Sequence, residues 1–155
     1  MKLSMSRRLV LAAILLTASI APAIAQTNLR FAAVFSDRDI RARMIEMLAK
    51  EVERDFKIEP FYNATLFKQG TELVALQRNN LELGNIAPQD ISKQLPAWSI
   101  LTAAYVFRDA KHLEAFWAGD LGAQMKKMAE DEAKVKILGP TFFGTRQIGL
   151  KPKKK

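Results

Sequence analysis

The stretch FFGTRQIGLKPKKK, residues 142–155, holds the side chain with the clearest chemical potential in the chain, Arg146. A guanidinium offers a planar fork of N–H donors that matches a carboxylate, and such a pair is strong when partly desolvated. Ahead of Lys151, Pro152 and three terminal lysines, Arg146 reads in two ways. It belongs to a basic tail for an acidic partner, or it is a ligand-binding arginine near the end of a strand. Few other residues could do chemistry. His112 is the single histidine and cysteine is absent, so transition-metal sites and most nucleophile–base–acid triads lack their parts. The seven glycines never gather into a phosphate-cradling cluster, and no carboxylate pair stands out. His112 sits in the first turns of a predicted helix and reads as a surface residue. Enzyme is therefore the weaker class, and no cofactor or metal is expected.

The ends of the chain differ from its body. Arg7 and Arg8 precede the uncharged run LVLAAILLTASIA, and Ala23-Ile24-Ala25 supplies small residues at the cleavage-determining positions. This pattern predicts a secretory signal peptide over residues 1–25, with the mature chain beginning at Gln26 and residues 26–155 long enough for one domain. The alternative is an uncleaved anchor. Pro22 and a run at the short end of the roughly 17–25 residues a spanning helix needs argue against it. The formal charge is +8, from 24 basic and 16 acidic residues. Setting aside Lys2, Arg7 and Arg8 in the leader and Lys151, Lys153, Lys154 and Lys155 in the tail leaves 17 against 16. A nucleic-acid binder carries its positive charge on the folded body, and this body is nearly neutral. Nucleic acid is therefore not an expected partner.

Elements that could position Arg146 follow from periodicity. Residues 29–35, LRFAAVF, form an apolar run expected as a strand buried on both faces. Ser36 or Asp37 is placed to cap the next helix, whose apolar stripe is Ile40, Met44, Ile45, Leu48 and Val52. Residues 57–62, KIEPFY, predict an irregular or edge strand because of Pro60. FKQGTELVALQRN reads as a helix with Leu73, Val74 and Leu76 inward, ended by Asn79-Asn80 at positive φ. Residues 81–87, LELGNIA, are the third strand, and Pro88 opens the short helix QDISKQL. Residues 98–107 are apolar and undecided between strand and helix. Asp109 caps a helix with Leu113, Phe116, Trp117, Leu121, Met125 and Met128 as its buried stripe, and AKVKILGPTFF returns to strand. Strands alternating with helices over short connections predict a parallel sheet of βαβ units. The six methionines read as core filler rather than a metal site.

The order and spacing of these segments carry a resemblance. NATLFKQGTELVALQRNNLELGNIAPQDISKQLPAWSILTAAYVFRD, preceded by LRFAAVFS and followed by Gly144-Thr145-Arg146-Gln147, resembles the periplasmic solute-binding subunits of tripartite ATP-independent (TRAP) transporters, dicarboxylate-binding type. The likeness covers essentially all residues after the leader. It implies a two-lobe receptor that closes on an organic acid and delivers it to the transporter's membrane subunits. By that resemblance this chain is the first lobe, a βαβ parallel sheet flanked by helices. The principal carboxylate-binding arginine and the second lobe would follow past the lysines. Arg146 matches the family's supporting arginine. Ligands of parallel sheets sit beyond the carboxyl ends of the strands. Phe35, Ser36 and Gln89 are expected there, with Phe143 as a wall. One departure is the turn between the first helix and second strand, shortened to ERDFKIE. It keeps open a different reading, a fragment or small secreted interaction protein without ligand-binding activity. A third, a basic protein on membranes or nucleic acid, rests on the lysine tail alone.

Overall fold

The computed structural model describes residues 26–142 together with Gly144 and Gly149. Its centre is a three-stranded parallel sheet in the order β2-β1-β3, where β1 is Thr27–Ala32, β2 is Phe56–Phe61 and β3 is Leu83–Gly84. Thr27 pairs with Phe56 and Ala32 with Phe61 on one side, while Phe31 pairs with Leu83 on the other. β1 lies in the middle because it is the apolar run: Phe31 and Ala32 are buried. Pro60, which has no N–H to give, sits on the edge strand β2, as expected. Residues 29–35 and 81–87 thus share one sheet, but both strands are shorter than their apolar runs. Beyond Ala32 the chain bonds to the last residue of β2 and to the loop after it instead of continuing a ladder. Ala33 N–H donates to Phe61 O at 2.9 Å, and Phe35 O accepts from Asn63 N–H at 2.9 Å.

The first helix, α1, spans Ile40–Glu51. Its cap is Asp39, not Ser36 or Asp37: Asp39 Oδ1 accepts from Arg41 N–H at 3.0 Å. Ser36 instead closes the preceding turn, its Oγ accepting from Arg38 N–H at 3.0 Å. The buried face also differs from the expected stripe. Ala42 and Ile45 are inside, whereas Ile40 is 71% exposed, Met44 44% and Leu48 37%. Small Ala42 lets the helix lie close to the sheet, and that choice rotates the row Ile40–Met44–Leu48 outward. The helix after β2, α2, is confined to Glu72–Gln77. Gly70 at φ +86° stands just before it, and Asn79 at φ +56° ends it as predicted. Leu73 and Ala75 point inward, but Val74 is exposed.

Pro88 occupies the first turn of α3, Pro88–Ile91, and Ala87 before it is extended, as a residue preceding proline prefers. The first half of the undecided run falls in a 3-10 helix, Pro96–Thr102, anchored by buried Trp98, while residues 103–107 are neither helix nor strand. Asp109 caps α4, Ala110–Ala118, through Oδ1 and His112 N–H at 2.8 Å. The single long helix expected here is two. The chain is extended at Gly119 and α5 runs over Asp120–Ala133. Leu121, assigned to the buried stripe, is 61% exposed because the break re-aims the second helix. Trp98, Trp117, Met125, Ala129 and Ala133 form the core of this half, with the two tryptophan rings 5.9 Å apart. Residues 134–142 form no strand. Lys134 at φ +56° ends α5, and Val135 and Ile137 pack against this same core without pairing to a strand.

Candidate functional site

The route of the chain through the sheet defines where a ligand would sit. β1 and β2 are joined through α1, and the chain then passes through α2 to the opposite side of β1 before forming β3. The order reverses about β1, so the loops leaving β1 and β3 diverge at the carboxyl end of the sheet. Such a switch point opens a crevice in parallel α/β sheets. Residues 33–39 leave β1 at that end and residues 85–88 leave β3, with Asn85 N–H still donating to Ala32 O at 3.3 Å.

Of the residues expected to form the site, three are described. Ser36 lies half-buried in the loop after β1. Gln89 lies half-buried in the first turn of α3, and its carbonyl accepts from Ser92 Oγ at 2.9 Å. Phe35 is buried with Phe31, Ala33, Ala42 and Ile45, its ring 6.2 Å from that of Tyr62. The Arg41 guanidinium stacks 4.0 Å from the Phe35 centroid. Phe35 is therefore part of the packing between sheet and α1. Arg146 and Phe143 lie outside the described residues.

Charged groups that sequence reasoning did not single out organise the same end. Asp39 takes Arg41 Nε at 2.8 Å and Nη2 at 2.7 Å. These side-chain bonds, with the backbone N–H of Arg41, hold the Asp39 carboxyl down at about 2 and push the arginine up. Burial, reinforced by Glu46 and Asp37, raises the Tyr62 phenol. Asp90 in α3 is buried and takes Lys93 Nζ at 2.7 Å. A side chain at Gly70 would meet both, with Asp90 Oδ1 and Lys93 Nζ each 3.2 Å from its Cβ. The loop before α2 and the start of α3 thus approach closely at Gly70. Glu72 is buried two residues on, and its Oε2 takes no hydrogen bond from a described residue. The acidic position early in α2 was visible in the sequence; its burial was not. Among the described residues no group of histidines and carboxylates could hold a metal.

Residues 31–154 match the family model of bacterial extracellular solute-binding proteins, family 7, DctP. The chain belongs to this family. Its members are solute-binding components of transport, not enzymes, and the TRAP-type proteins among them are periplasmic. A solute-binding protein of Verminephrobacter eiseniae (strain EF01-2) is 31% identical over 109 residues, covering 68% of this chain and 32% of the relative. One from Sulfitobacter sp. (strain NAS-14.1) is 25% identical over 142 residues, covering 88% of this chain and 43% of the relative. The crystal structure of a TRAP periplasmic solute binding protein from Roseobacter denitrificans, with bound 3-deoxy-D-manno-oct-2-ulosonic acid, superposes with a TM-score of 0.69. It is 31% identical, over 72% of this chain and 37% of that one. The match thus spans 32–43% of the length of these relatives. The three-stranded parallel sheet with its helices corresponds to one lobe of the TRAP architecture.

Proposed function

We propose that residues 26–155 are the first lobe of a periplasmic receptor that captures an organic acid for TRAP-type transport. In this reading residues 1–25 are a leader cleaved after Ala25, and the membrane subunits of a TRAP transporter receive the solute. The observation that carries it is the match to the Roseobacter protein, which holds a sugar acid. The chemistry supports it as well. An acid needs a cation and neutral hydrogen-bonding groups around it, and Arg146, Ser36 and Gln89 supply these types. In this reading Arg146 takes the carboxylate while Ser36 and Gln89 serve the remaining oxygens. Phe143 closes the pocket, and Phe35 stiffens its floor from within the core.

Calorimetry on this chain fused to the remaining part of its Roseobacter relative tests the reading. Titration with 3-deoxy-D-manno-oct-2-ulosonic acid and with a C4-dicarboxylate should give binding to at least one. The corresponding neutral sugars should give none. Equal affinity for acid and neutral compound would reject carboxylate recognition.

A further inference from the structure

If the leader is cleaved after Ala25, the first residue of the mature chain is glutamine, and an N-terminal glutamine has a covalent fate of its own. Its α-amine attacks its side-chain carbonyl carbon, Cδ. The N–Cδ bond forms, the Cδ–Nε2 bond breaks, and Nε2 leaves as ammonia with a proton from the amine. The product is a five-membered lactam, and no co-reactant is needed. Whether this happens depends on what holds the amide.

The amide of Gln26 is held. Nε2 donates to the carbonyl of Glu53 and to that of Phe56, the latter at 2.9 Å. Both acceptors belong to the connection from α1 into β2, and Phe56 is the register partner of Thr27, the next residue. Gln26 therefore continues the β1–β2 pairing one residue beyond the ladder, using its side chain instead of its backbone. The acceptors are main-chain oxygens fixed by the end of α1 and the start of β2. Lys50, Glu53 and Lys57 line the same shallow groove at the amino end of the sheet, opposite the candidate ligand site.

We infer that Gln26 is a folding-gated modification site. In the folded mature protein the clasp to Glu53 and Phe56 keeps the glutamine linear, whereas the unfolded chain cyclises. Cyclisation must break both hydrogen bonds as Nε2 departs, and two net hydrogen bonds correspond to a slowing of roughly five- to a hundredfold. The lactam, lacking Nε2, cannot re-form the clasp. This rests on cleavage after Ala25, part of the function proposed above.

The test exports the full chain and measures the intact mass of the purified mature protein. The expected mass is that of residues 26–155 with the ammonia retained. It should persist during long incubation in buffer, while an equal incubation in urea at the same pH and temperature gives loss of one ammonia. The cyclised material, refolded, should melt below the linear form. Cyclisation at equal rates with and without urea would overturn the inference. So would ammonia retained in both, a lactam already complete on isolation, or equal melting temperatures. A mass beginning at another residue would reject the cleavage site itself, and is told apart from these by its value.

Discussion

Arg30 on β1 grips Glu82, the residue before β3, with Nε on Oε2 at 2.9 Å and Nη2 on Oε1 at 2.7 Å. Its backbone N–H adds a third bond to Oε2 at 2.8 Å. β3 is only two residues long, so backbone pairing to β1 is brief. A forked ion pair immediately before that ladder fixes its register. It does so where the chain has just crossed over β1, which is the condition for the switch-point crevice at the opposite end of these strands. Both side chains keep substantial solvent contact, so the clasp aligns the strands more than it stabilises the fold.

The clasp should be legible in acid. Hydrogen bonds from Arg30, its side chain first, hold the Glu82 carboxyl below the ordinary glutamate value despite an opposing desolvation effect. A depressed folded pKa means that the unfolded state binds the proton first as pH falls. The contribution is therefore fully present above the ordinary value and is lost as pH drops through the folded one. Glu82→Gln should flatten the fall in thermal stability below about pH 4. Asp39, held down at about 2 by Arg41, extends the loss toward lower pH, and Asp39→Asn should remove that further slope. Melting curves from pH 7 to pH 2 for the three proteins check this. Identical acid limbs would mean that neither pair matters.

Gly122 should be intolerant of any side chain. A Cβ there would stand 2.5 Å from both Phe116 O and Trp117 Cα, backbone atoms that cannot swing away. Gly122→Ala should cost about 1–3 kcal/mol, as overpacking at a closed contact does. Gly119→Ala is the control: its backbone is extended at φ −93°, and the nearest atom would be Ala115 O at 3.3 Å. It should cost clearly less in denaturant titration. If both are equally harmful, the packing of α4 on α5 is not the cause.

The two faces of α1 should respond in opposite ways. Ile45→Ala removes buried volume and should destabilise by about 2–5 kcal/mol. Met47, 68% exposed, continues the outward row of Ile40 and Met44, and Met47→Lys should shift stability by less than about 0.5 kcal/mol. It should also raise solubility, because it breaks an exposed apolar patch. Loss of stability on Met47→Lys would mean that this face is covered in solution.

How much of this was readable beforehand divides along local and non-local lines. Pro60 on an edge, Asn79 at positive φ and Asp109 as a cap are local backbone chemistry, and all three stand as the sequence implied. The parallel sheet of alternating units was equally legible. The inward face of α1 was not, because two apolar rows share that helix and only contact with the sheet chooses Ala42 and Ile45 over Ile40 and Met44. The helix break at Gly119 needed the close approach of Gly122 to Phe116 and Trp117, which no periodicity announces. A strand over 134–142 failed because alternation supplies a face but not a partner edge. The Arg30–Glu82 grip joins residues 52 apart, and nothing in either neighbourhood signals it.

The affinity of this chain alone follows from the openness of its site in the proposed reading. Two-lobe receptors enclose the ligand, and enclosure excludes the water that would otherwise screen a guanidinium. With one lobe, the pair between Arg146 and a carboxylate remains solvated, where such pairs contribute at most about 1 kcal/mol. That is a factor of about five in affinity, far short of capture at low concentration. Titration of these residues alone with sugar acids or C4-dicarboxylates should therefore give no measurable heat at micromolar protein, and the little binding present should vanish with added salt. In the fused two-lobe protein, Arg146→Ala should weaken acid binding by tenfold or more, since a desolvated partner is then left unpaired. Micromolar binding by this chain alone would place the recognition chemistry within the first lobe. Indifference of the two-lobe protein to Arg146→Ala would move the carboxylate to another cation.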